Sequence, residues 1–155
     1  MLQAPFDKIQ IGDTVPSRGR TVTETDVVSF CYLTGNWFEF HSNVEVAAKT
    51  EYGQRLVQGG LVFSLVPGLV TWDPRYVVAF YGVDRLRLIR PVFIGDTVSA
   101  RIRVADKKVR DDASGTVTFQ IEVVNQRDEV VQACSMIILG RRQRQDKQVE
   151  VLTGR

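Results

Sequence analysis

Two hydrophobic patterns divide the chain, a helical one in its first half and a strand-like one in its second half. The segment from Thr23 to Asp26 has the form of a capping box, and apolar residues then recur at helical spacing, which predicts a helix over about 24–34. Gly35 follows directly, as is typical where a helix ends in a left-handed residue. A second capping pattern, from Ser42 to Glu45, predicts a short helix through 44–49.

A third apolar segment, residues 61–70, follows two consecutive glycines, Gly59 and Gly60. It is too short to span a bilayer, so it predicts a buried central helix. Two glycines at its start would let another backbone or a ligand approach the helix N-terminus closely. Pro67 lacks an N–H group and therefore predicts a kink in this helix or its end.

From about residue 76 the chain is rich in Val, Ile, Phe and Thr, which is typical of strands. Short connections between these strands predict an antiparallel meander. Arginine and leucine alternate from Arg85 to Leu88, so the first strand should bury one face. Helices followed by strands predict an α+β fold in which a curved antiparallel sheet wraps a long central helix. The predicted strands are 76–89, 96–106, 114–125 and 129–139.

Composition adds limits to this picture. With 155 residues, 44% of them apolar, the chain is expected to form one domain over residues 1–140. The formal net charge of +2 gives no reason to expect nucleic acid as a partner, and the positive excess lies in residues 141–155, a predicted flexible basic tail. Cys31 and Cys134 lack metal-ligand spacing and are expected to be reduced core thiols. No secretory leader or membrane span is apparent, which favours a cytoplasmic protein.

Candidate chemistry centres on His41, the single histidine, in a loop rich in aromatic residues. Together with three later motifs, this loop resembles the MaoC-like dehydratase family, also called R-specific enoyl-CoA hydratases. The resemblance covers roughly residues 5–139 and implies a hot-dog fold, usually dimeric, that takes coenzyme A thioesters as ligands. No metal and no cofactor are expected. The four motifs are Thr34-Gly35-Asn36-Trp37-Phe38-Glu39-Phe40-His41, Ala47-Ala48-Lys49-Thr50-Glu51-Tyr52-Gly53, Leu56-Val57-Gln58-Gly59-Gly60-Leu61 and Arg90-Pro91-Val92-Phe93-Ile94-Gly95-Asp96-Thr97.

The resemblance assigns roles to particular residues. His41 matches the family histidine, and Gly59 matches the glycine whose N–H polarises the thioester carbonyl. Asn36 stands where the family has an aspartate, which is the main departure. Smaller departures are Gln58, at a position that is often histidine, and Pro67, where such hydratases often have serine. The implied activity is that of a hydro-lyase, which adds water to a trans-2-enoyl-CoA or dehydrates a 3-hydroxyacyl-CoA.

Hydration needs a base for the attacking water, a proton for C2 and a donor to the carbonyl oxygen. Imidazole suits the proton transfers, because its protonation changes near neutral pH. Asn36 cannot accept a proton, although its amide can hold a water. Two hypotheses therefore stay open at this point. Either His41 alone carries the proton while Asn36 orients the water, or the site has lost hydration and only binds acyl-CoA.

Other residues have both a functional and a structural interpretation. Asn36 could simply close a turn, and Gly59 with Gly60 could serve only close helix–sheet packing. The aromatic residues Trp37, Phe38 and Phe40 are predicted to be walls of an acyl pocket or plain core. The candidate substrate contacts are Gln58, Gly60, Arg85 and Arg87. The two arginines and Arg90 could bind the phosphates of coenzyme A, or they could form surface salt bridges with acids such as Asp84.

Two rival functions remain at this stage. Glu39 or Glu51 could activate water at the carbonyl carbon, which would make the protein an acyl-CoA thioesterase. Alternatively, the chain could be a non-catalytic acyl-CoA-binding subunit that pairs with a homologous active chain. A homodimer or higher homo-oligomer is expected, because a curved sheet leaves open edges that a second copy can pair.

Overall fold

The computed structural model describes residues 1–143, which form four α-helices, two short 3₁₀ helices and six strands. The helices are α1 (Glu24–Thr34), α2 (Glu39–Ser42), α3 (Val44–Ala47) and α4 (Gly59–Leu65), and the 3₁₀ helices are Phe6–Lys8 and Val66–Leu69. The strands are β1 (Thr14–Val15), β2 (Arg20–Thr21), β3 (Val77–Leu88), β4 (Thr97–Val109), β5 (Ser114–Val124) and β6 (Val130–Arg141).

All strand pairs are antiparallel, and the sheet order is β1-β4-β5-β6-β3, with β2 also paired to β4. Strands β4, β5 and β6 form the predicted meander. The prediction is wrong for β3, which pairs with β6 instead of β4. The connection over 89–96 crosses the end of the sheet, because the N–H groups of Ile89 and Arg90 donate to the Val131 carbonyl and that of Gly95 donates to the Val22 carbonyl.

Strand β3 is the outer strand, and it does not bury one face as its alternation predicted. Its register with β6 shifts between Asp84 and Arg87, where Arg85 has a φ of 54°. Such a left-handed residue breaks the alternation of side chains across the sheet. Leu86 and Leu88 consequently lie exposed beside the arginines.

The first capping box is confirmed. The Thr23 hydroxyl accepts the Asp26 N–H, the Asp26 carboxylate accepts the Thr23 N–H at 2.8 Å, and α1 ends at Gly35 with a φ of 70°. The second cap differs by one residue from the prediction. Asn43, not Ser42, accepts the N–H groups that open α3, because the Ser42 hydroxyl donates to the Trp37 carbonyl and Ser42 belongs to α2.

Helix α4 lies against the concave face of the sheet, which gives the predicted α+β hot-dog arrangement. Its α-helical part has seven residues and is shorter than the apolar run. Pro67 explains the change, since it sits in the first turn of the following 3₁₀ helix, where its missing N–H costs nothing. The buried side of α4, which includes Leu61 and Leu65, joins a single core with the inward residues of β4, β5 and β6.

The end of the domain lies slightly beyond residue 140. Arg141 is the last residue of β6, and the Arg142 guanidinium donates to Asp7 at 3.0 Å. Residues 144–155, the rest of the predicted basic tail, lie outside the described residues. Cys31 and Cys134 are buried free thiols, as predicted. None of the helices within residues 1–143 has both the length and the apolar character that a membrane span requires.

Candidate active site

A cavity of about 350 Å³ lies between the start of α4, the end of β3 and the segment that follows α3. His41 and Gly59, which the resemblance assigns to proton transfer and carbonyl binding, both line it. The polar side chains around it, counted over residues 1–143, belong to His41, Tyr52, Arg90 and Gln132. The remaining lining is apolar, so the cavity suits a ligand with an apolar part and a few polar atoms.

The ring of His41 is held by a backbone carbonyl. Its Nδ1 lies 2.8 Å from the carbonyl oxygen of Leu56, which can only accept a hydrogen bond. Nδ1 therefore carries a proton, and in the neutral ring Nε2 carries the lone pair. Nε2 has no hydrogen-bond partner within the described part of the chain. The half-buried imidazole thus has one nitrogen fixed by the protein and one open to exchange a proton.

The Leu56 carbonyl is itself firmly placed. The Leu56 N–H donates to the Phe40 carbonyl at 2.9 Å, and Leu56 forms a bridge with Phe93. The next N–H, that of Val57, donates to the Val92 carbonyl at 2.8 Å. The segment before α4 is therefore tied both to the histidine-bearing helix and to the crossover after β3.

Gly59 is the first residue of α4, and no side chain caps the N-terminus of this helix. Over residues 1–143, the N–H groups of Gly59 and Gly60 donate to no protein acceptor. A Cβ at Gly59 would lie 2.5 Å from a Leu88 methyl carbon, whereas a Cβ at Gly60 would meet only Phe30, at 3.5 Å. Gly59 is thus required for close packing with Leu88, as one interpretation predicted, and it also presents a free donor beside the cavity.

Gln132 is a cavity residue that the sequence analysis missed. It is 2% exposed, and its Nε2 donates to the Gly59 carbonyl at 3.0 Å. Its Oε1 is buried without a partner among residues 1–143. A signal for it did exist, because Gln132 shares the inward-facing register of β6 with Cys134, Met136 and Ile138, where an amide is unusual.

Asn36 and the three aromatic residues of the loop do not line this cavity. Asn36 is exposed, and its Oδ1 accepts the Phe38 N–H at 3.4 Å, which closes a turn. Trp37 is 46% and Phe38 56% exposed, so neither belongs to the core. Phe40 is half-buried and stacks on Phe38, with ring centroids 4.7 Å apart. These aromatic rings form a surface next to the histidine-bearing helix.

Gln58 also lies outside the cavity. Its side chain is 2% exposed and packs against α1, where Nε2 donates to the Val27 carbonyl and to the sulfur of Cys31. A substrate in this cavity would therefore not contact the Gln58 side chain, contrary to the expectation from the sequence. Gly60 is exposed beside Gly59 without lining the cavity.

The predicted arginines are divided between the cavity and strand β3. Arg85 and Arg87 are exposed on β3, and Arg90 lines the cavity while donating to the Val130 carbonyl at 2.8 Å. None of these three forms an ion pair with a carboxylate of residues 1–143, so the alternative of a salt bridge with Asp84 is not observed. Their charge is available to an anion.

The carboxylates considered for thioester hydrolysis are absent from the cavity. Glu39 begins α2 and is exposed, where it accepts a hydrogen bond from Asn43. Glu51 is exposed in the turn after α3. Among the described lining residues there is no aspartate or glutamate.

The chain is similar to known proteins in sequence and in fold. The family model described as "MaoC like domain" matches residues 8–126. The structure of "Monoamine oxidase regulatory protein" from Archaeoglobus fulgius is similar, with 42% identity and a TM-score of 0.87 over 91% of this chain and 96% of that one. The protein named "Protein MaoC" from Klebsiella aerogenes is 39% identical over 110 residues, which are 70% of this chain and 33% of that protein.

A further relative carries an enzyme name. The "Beta-methylmalyl-CoA dehydratase" of Chloroflexus aurantiacus is 31% identical over 129 residues, 81% of this chain and 37% of that protein. The chain thus spans about a third of the length of these two curated relatives.

Proposed function

This chain belongs to the family of MaoC-like domains, and from that premise we propose that it is a hydro-lyase acting on acyl-CoA thioesters. It would add water to a trans-2-enoyl-CoA or, in reverse, dehydrate a 3-hydroxyacyl-CoA. One observation carries the proposal. The cavity of about 350 Å³ is lined both by an imidazole with an open Nε2 and by the first residue of α4, whose N–H is free.

In the proposed reaction, Nε2 of His41 takes a proton from water as the oxygen bonds to C3. The imidazolium then returns a proton to C2, so the elements of water are added and the ring is regenerated. The Leu56 carbonyl accepts from Nδ1 throughout and stabilises the transient positive charge. Meanwhile the Gly59 N–H would donate to the thioester oxygen, on which negative charge develops. Because α4 is short, this N–H acts as a local hydrogen-bond donor more than through a helix dipole.

Asn36 has a supporting role in this proposal. Its Oδ1 closes the turn to Phe38, but its Nδ2 is exposed and donates to no residue of the described chain. Asn36 lies outside the cavity, so this amide would act by holding a water beside the cavity while His41 performs both proton transfers. The aromatic surface of Trp37, Phe38 and Phe40 would contact only a part of the acyl chain that extends beyond the cavity.

Arg90 in the cavity lining, with the exposed Arg85 and Arg87 on the preceding strand β3, would suit the anionic half of a coenzyme A thioester. Guanidinium groups bind phosphate through paired N–H donors, and Arg85, Arg87 and Arg90 carry no competing carboxylate within the described residues. We expect Arg87→Ala to raise KM for an acyl-CoA while leaving kcat nearly unchanged. A matched Arg101→Ala, at an exposed arginine on β4, should leave both constants unchanged.

Loss of the enoyl thioester absorbance, followed with a panel of enoyl-CoAs, tests the proposal directly. His41→Asn is the decisive variant, since an asparagine amide can replace Nδ1–H as donor to Leu56 while removing Nε2. We expect kcat to fall by about 10²- to 10⁴-fold with little change in thermal stability. Wild-type turnover no faster than that of His41→Asn across the panel would reject hydration.

The same reactions separate the rival functions. A thioesterase would release free coenzyme A, which a thiol reagent detects, but the described cavity lining offers no carboxylate for that chemistry. A binding-only subunit would retain affinity for acyl-CoA without turnover and would gain activity only with a homologous chain. Activity of the purified single chain would remove that alternative.

We further propose that two copies pair through the outer edge of β3. This edge has no partner strand within residues 1–143 and displays exposed Phe80, Tyr81 and Leu88. A long, unpaired apolar edge favours pairing with a second strand. Analytical ultracentrifugation should give the mass of two chains for the wild type and of one chain for Tyr81→Lys. A wild-type monomer at micromolar concentration would refute this pairing.

A further inference from the structure

Gln132 makes an unusual contact for a strand residue. It faces inward from β6 opposite Leu88 of β3, and its Nε2 donates to the carbonyl of Gly59, the first residue of α4. Because that carbonyl can only accept, the amide orientation is fixed and Oε1 must point elsewhere. There it remains buried without a donor from residues 1–143.

This arrangement contributes little to folding stability. A buried acceptor without a partner offsets the gain from the one hydrogen bond that the amide makes. Replacing the amide with an apolar side chain would remove both the unpartnered acceptor and the donor to the Gly59 carbonyl, so the two effects on stability oppose each other. The contact is therefore better explained by what it does to the Gly59 carbonyl.

The Gly59 carbonyl and the Gly60 N–H belong to one peptide unit and point in opposite directions. A donor placed on the carbonyl fixes the plane of that unit and makes its N–H a stronger donor. The Gly60 N–H has no acceptor within the described chain. The space around Gly60 is also open, since a Cβ added there would lie no closer than 3.5 Å to its nearest neighbour, the Phe30 ring. It is therefore a free donor next to that of Gly59.

We propose that Gln132 is a positioning residue that orients and polarises the Gly59–Gly60 peptide, so that the Gly60 N–H, which follows the lining residue Gly59 but lies outside the cavity itself, becomes a second donor to a thioester oxygen bound at the edge of the cavity. The inference rests on the proposed function, since it needs a thioester in the cavity. Two adjacent N–H groups would then share the charge that develops on that oxygen. Gln132 itself does not touch the reacting atoms.

Gln132→Met tests this role, because methionine keeps the length of the side chain and removes the amide. Gln58→Met is the matched control. Gln58 is equally buried, also donates to a backbone carbonyl and also has an unpartnered Oε1, but its contacts are with α1. We expect Gln132→Met to lower kcat about tenfold with KM nearly unchanged, because the donor acts mainly in the transition state. Gln58→Met should leave kcat unchanged.

A second readout does not depend on turnover. The infrared band of a bound saturated acyl-CoA, labelled with ¹³C at the carbonyl, should lie at a higher frequency in Gln132→Met than in the wild type and in Gln58→Met. Thermal denaturation should show that Gln132→Met and Gln58→Met unfold at similar temperatures, since each loses one hydrogen bond to a backbone carbonyl and one unpartnered oxygen. Equal kcat and equal carbonyl frequency in Gln132→Met and the wild type would overturn the inference while leaving hydration intact. If the wild type binds no acyl-CoA, both the inference and the proposed function fail.

Discussion

Replacing Gly59 by alanine separates a packing role from a binding role at the start of α4. The new Cβ would lie 2.5, 2.8 and 3.2 Å from the Cδ1, Cδ2 and Cγ atoms of Leu88. Gly60→Ala is the matched control in the same turn, where the Cβ meets only the Phe30 ring at 3.5 Å, an ordinary contact distance. Both variants keep their backbone N–H group, so they differ only in where the methyl group goes.

The expected magnitudes follow from these distances. Alanine in place of a helical glycine gains about 0.5–1 kcal/mol of stability when the Cβ meets open space. We therefore expect Gly60→Ala to raise the free energy of unfolding by about 0.5 kcal/mol. In Gly59→Ala, Leu88 must leave its position; since Leu88 is 65% exposed it can rotate, at a cost of about 1 kcal/mol for the changed rotamer and lost contact. The net result should be a loss of about 0.5 kcal/mol.

Urea unfolding of both variants, each with and without Leu88→Ala, measures the contact as a double-mutant cycle. The difference between Gly59→Ala and Gly60→Ala should disappear once Leu88 is truncated. Hydration kinetics then give the functional answer. If the double variant Gly59→Ala, Leu88→Ala regains stability but still catalyses hydration slowly, binding of the thioester requires a residue without a Cβ at position 59. If the difference in stability persists without the Leu88 side chain, the assigned contact is wrong.

Three further predictions rest on individual contacts. Partial burial raises the pKa of the Asp26 carboxyl, but hydrogen bonds from Thr23 and the charge of Arg20 outweigh this effect and lower the pKa. The contribution of Asp26 to folding stability is therefore present at neutral pH and lost as pH falls below about 4. Asp26→Asn should therefore cost about 1 kcal/mol at pH 7, and urea unfolding repeated at pH 3 should show a smaller difference. Lys107→Met should lower the free energy of unfolding in urea by about 2 kcal/mol, because Nζ of Lys107 donates to the Phe6 and Ile9 carbonyls. Lys108→Met, at an exposed position, should lower it by almost nothing. Equal losses in the two variants would refute the assignment. Asn36→Ala should lower kcat about three- to tenfold, and an unchanged kcat would leave Asn36 with its turn alone.

Local chemistry made the boundaries of the main elements predictable. The Thr23–Asp26 box and the left-handed Gly35 act within one helical turn, so they can be read without knowing the rest of the fold. The pairing of β3 with β6 is a different kind of property. It depends on a crossover over 89–96 whose hydrogen bonds reach Val131 and Val22, far away along the chain. Periodicity within a strand carries no information on such partners.

The candidate site shows the same division. His41 and Gly59 are predicted from the resemblance to the MaoC-like family, whose motifs are local stretches of sequence, and both line the cavity. The exposure of Trp37 and Phe38 could not be predicted, since apolar character alone does not say whether a ring lies in a core or on a surface. Gln132 was missed for a related reason. Its role depends on a backbone carbonyl 73 residues earlier in the chain.

The two halves of the proposed site are mechanically linked through residues 56–59. The Leu56 carbonyl sets the tautomer of His41, and three residues later the Gly59 backbone begins the donor pair. Between them, the Val57 N–H is bonded to the Val92 carbonyl, and from the far side Gln132 holds the Gly59 carbonyl. The base and the carbonyl donor must each lie within a fraction of an ångström of the position that the reaction needs. Only then can proton transfer and charge stabilisation act on the same thioester. His41 on α2 is hydrogen-bonded to Leu56 and the donor is the N–H of Gly59, so this short, doubly anchored segment connects the base with the carbonyl donor and favours a constant spacing between them.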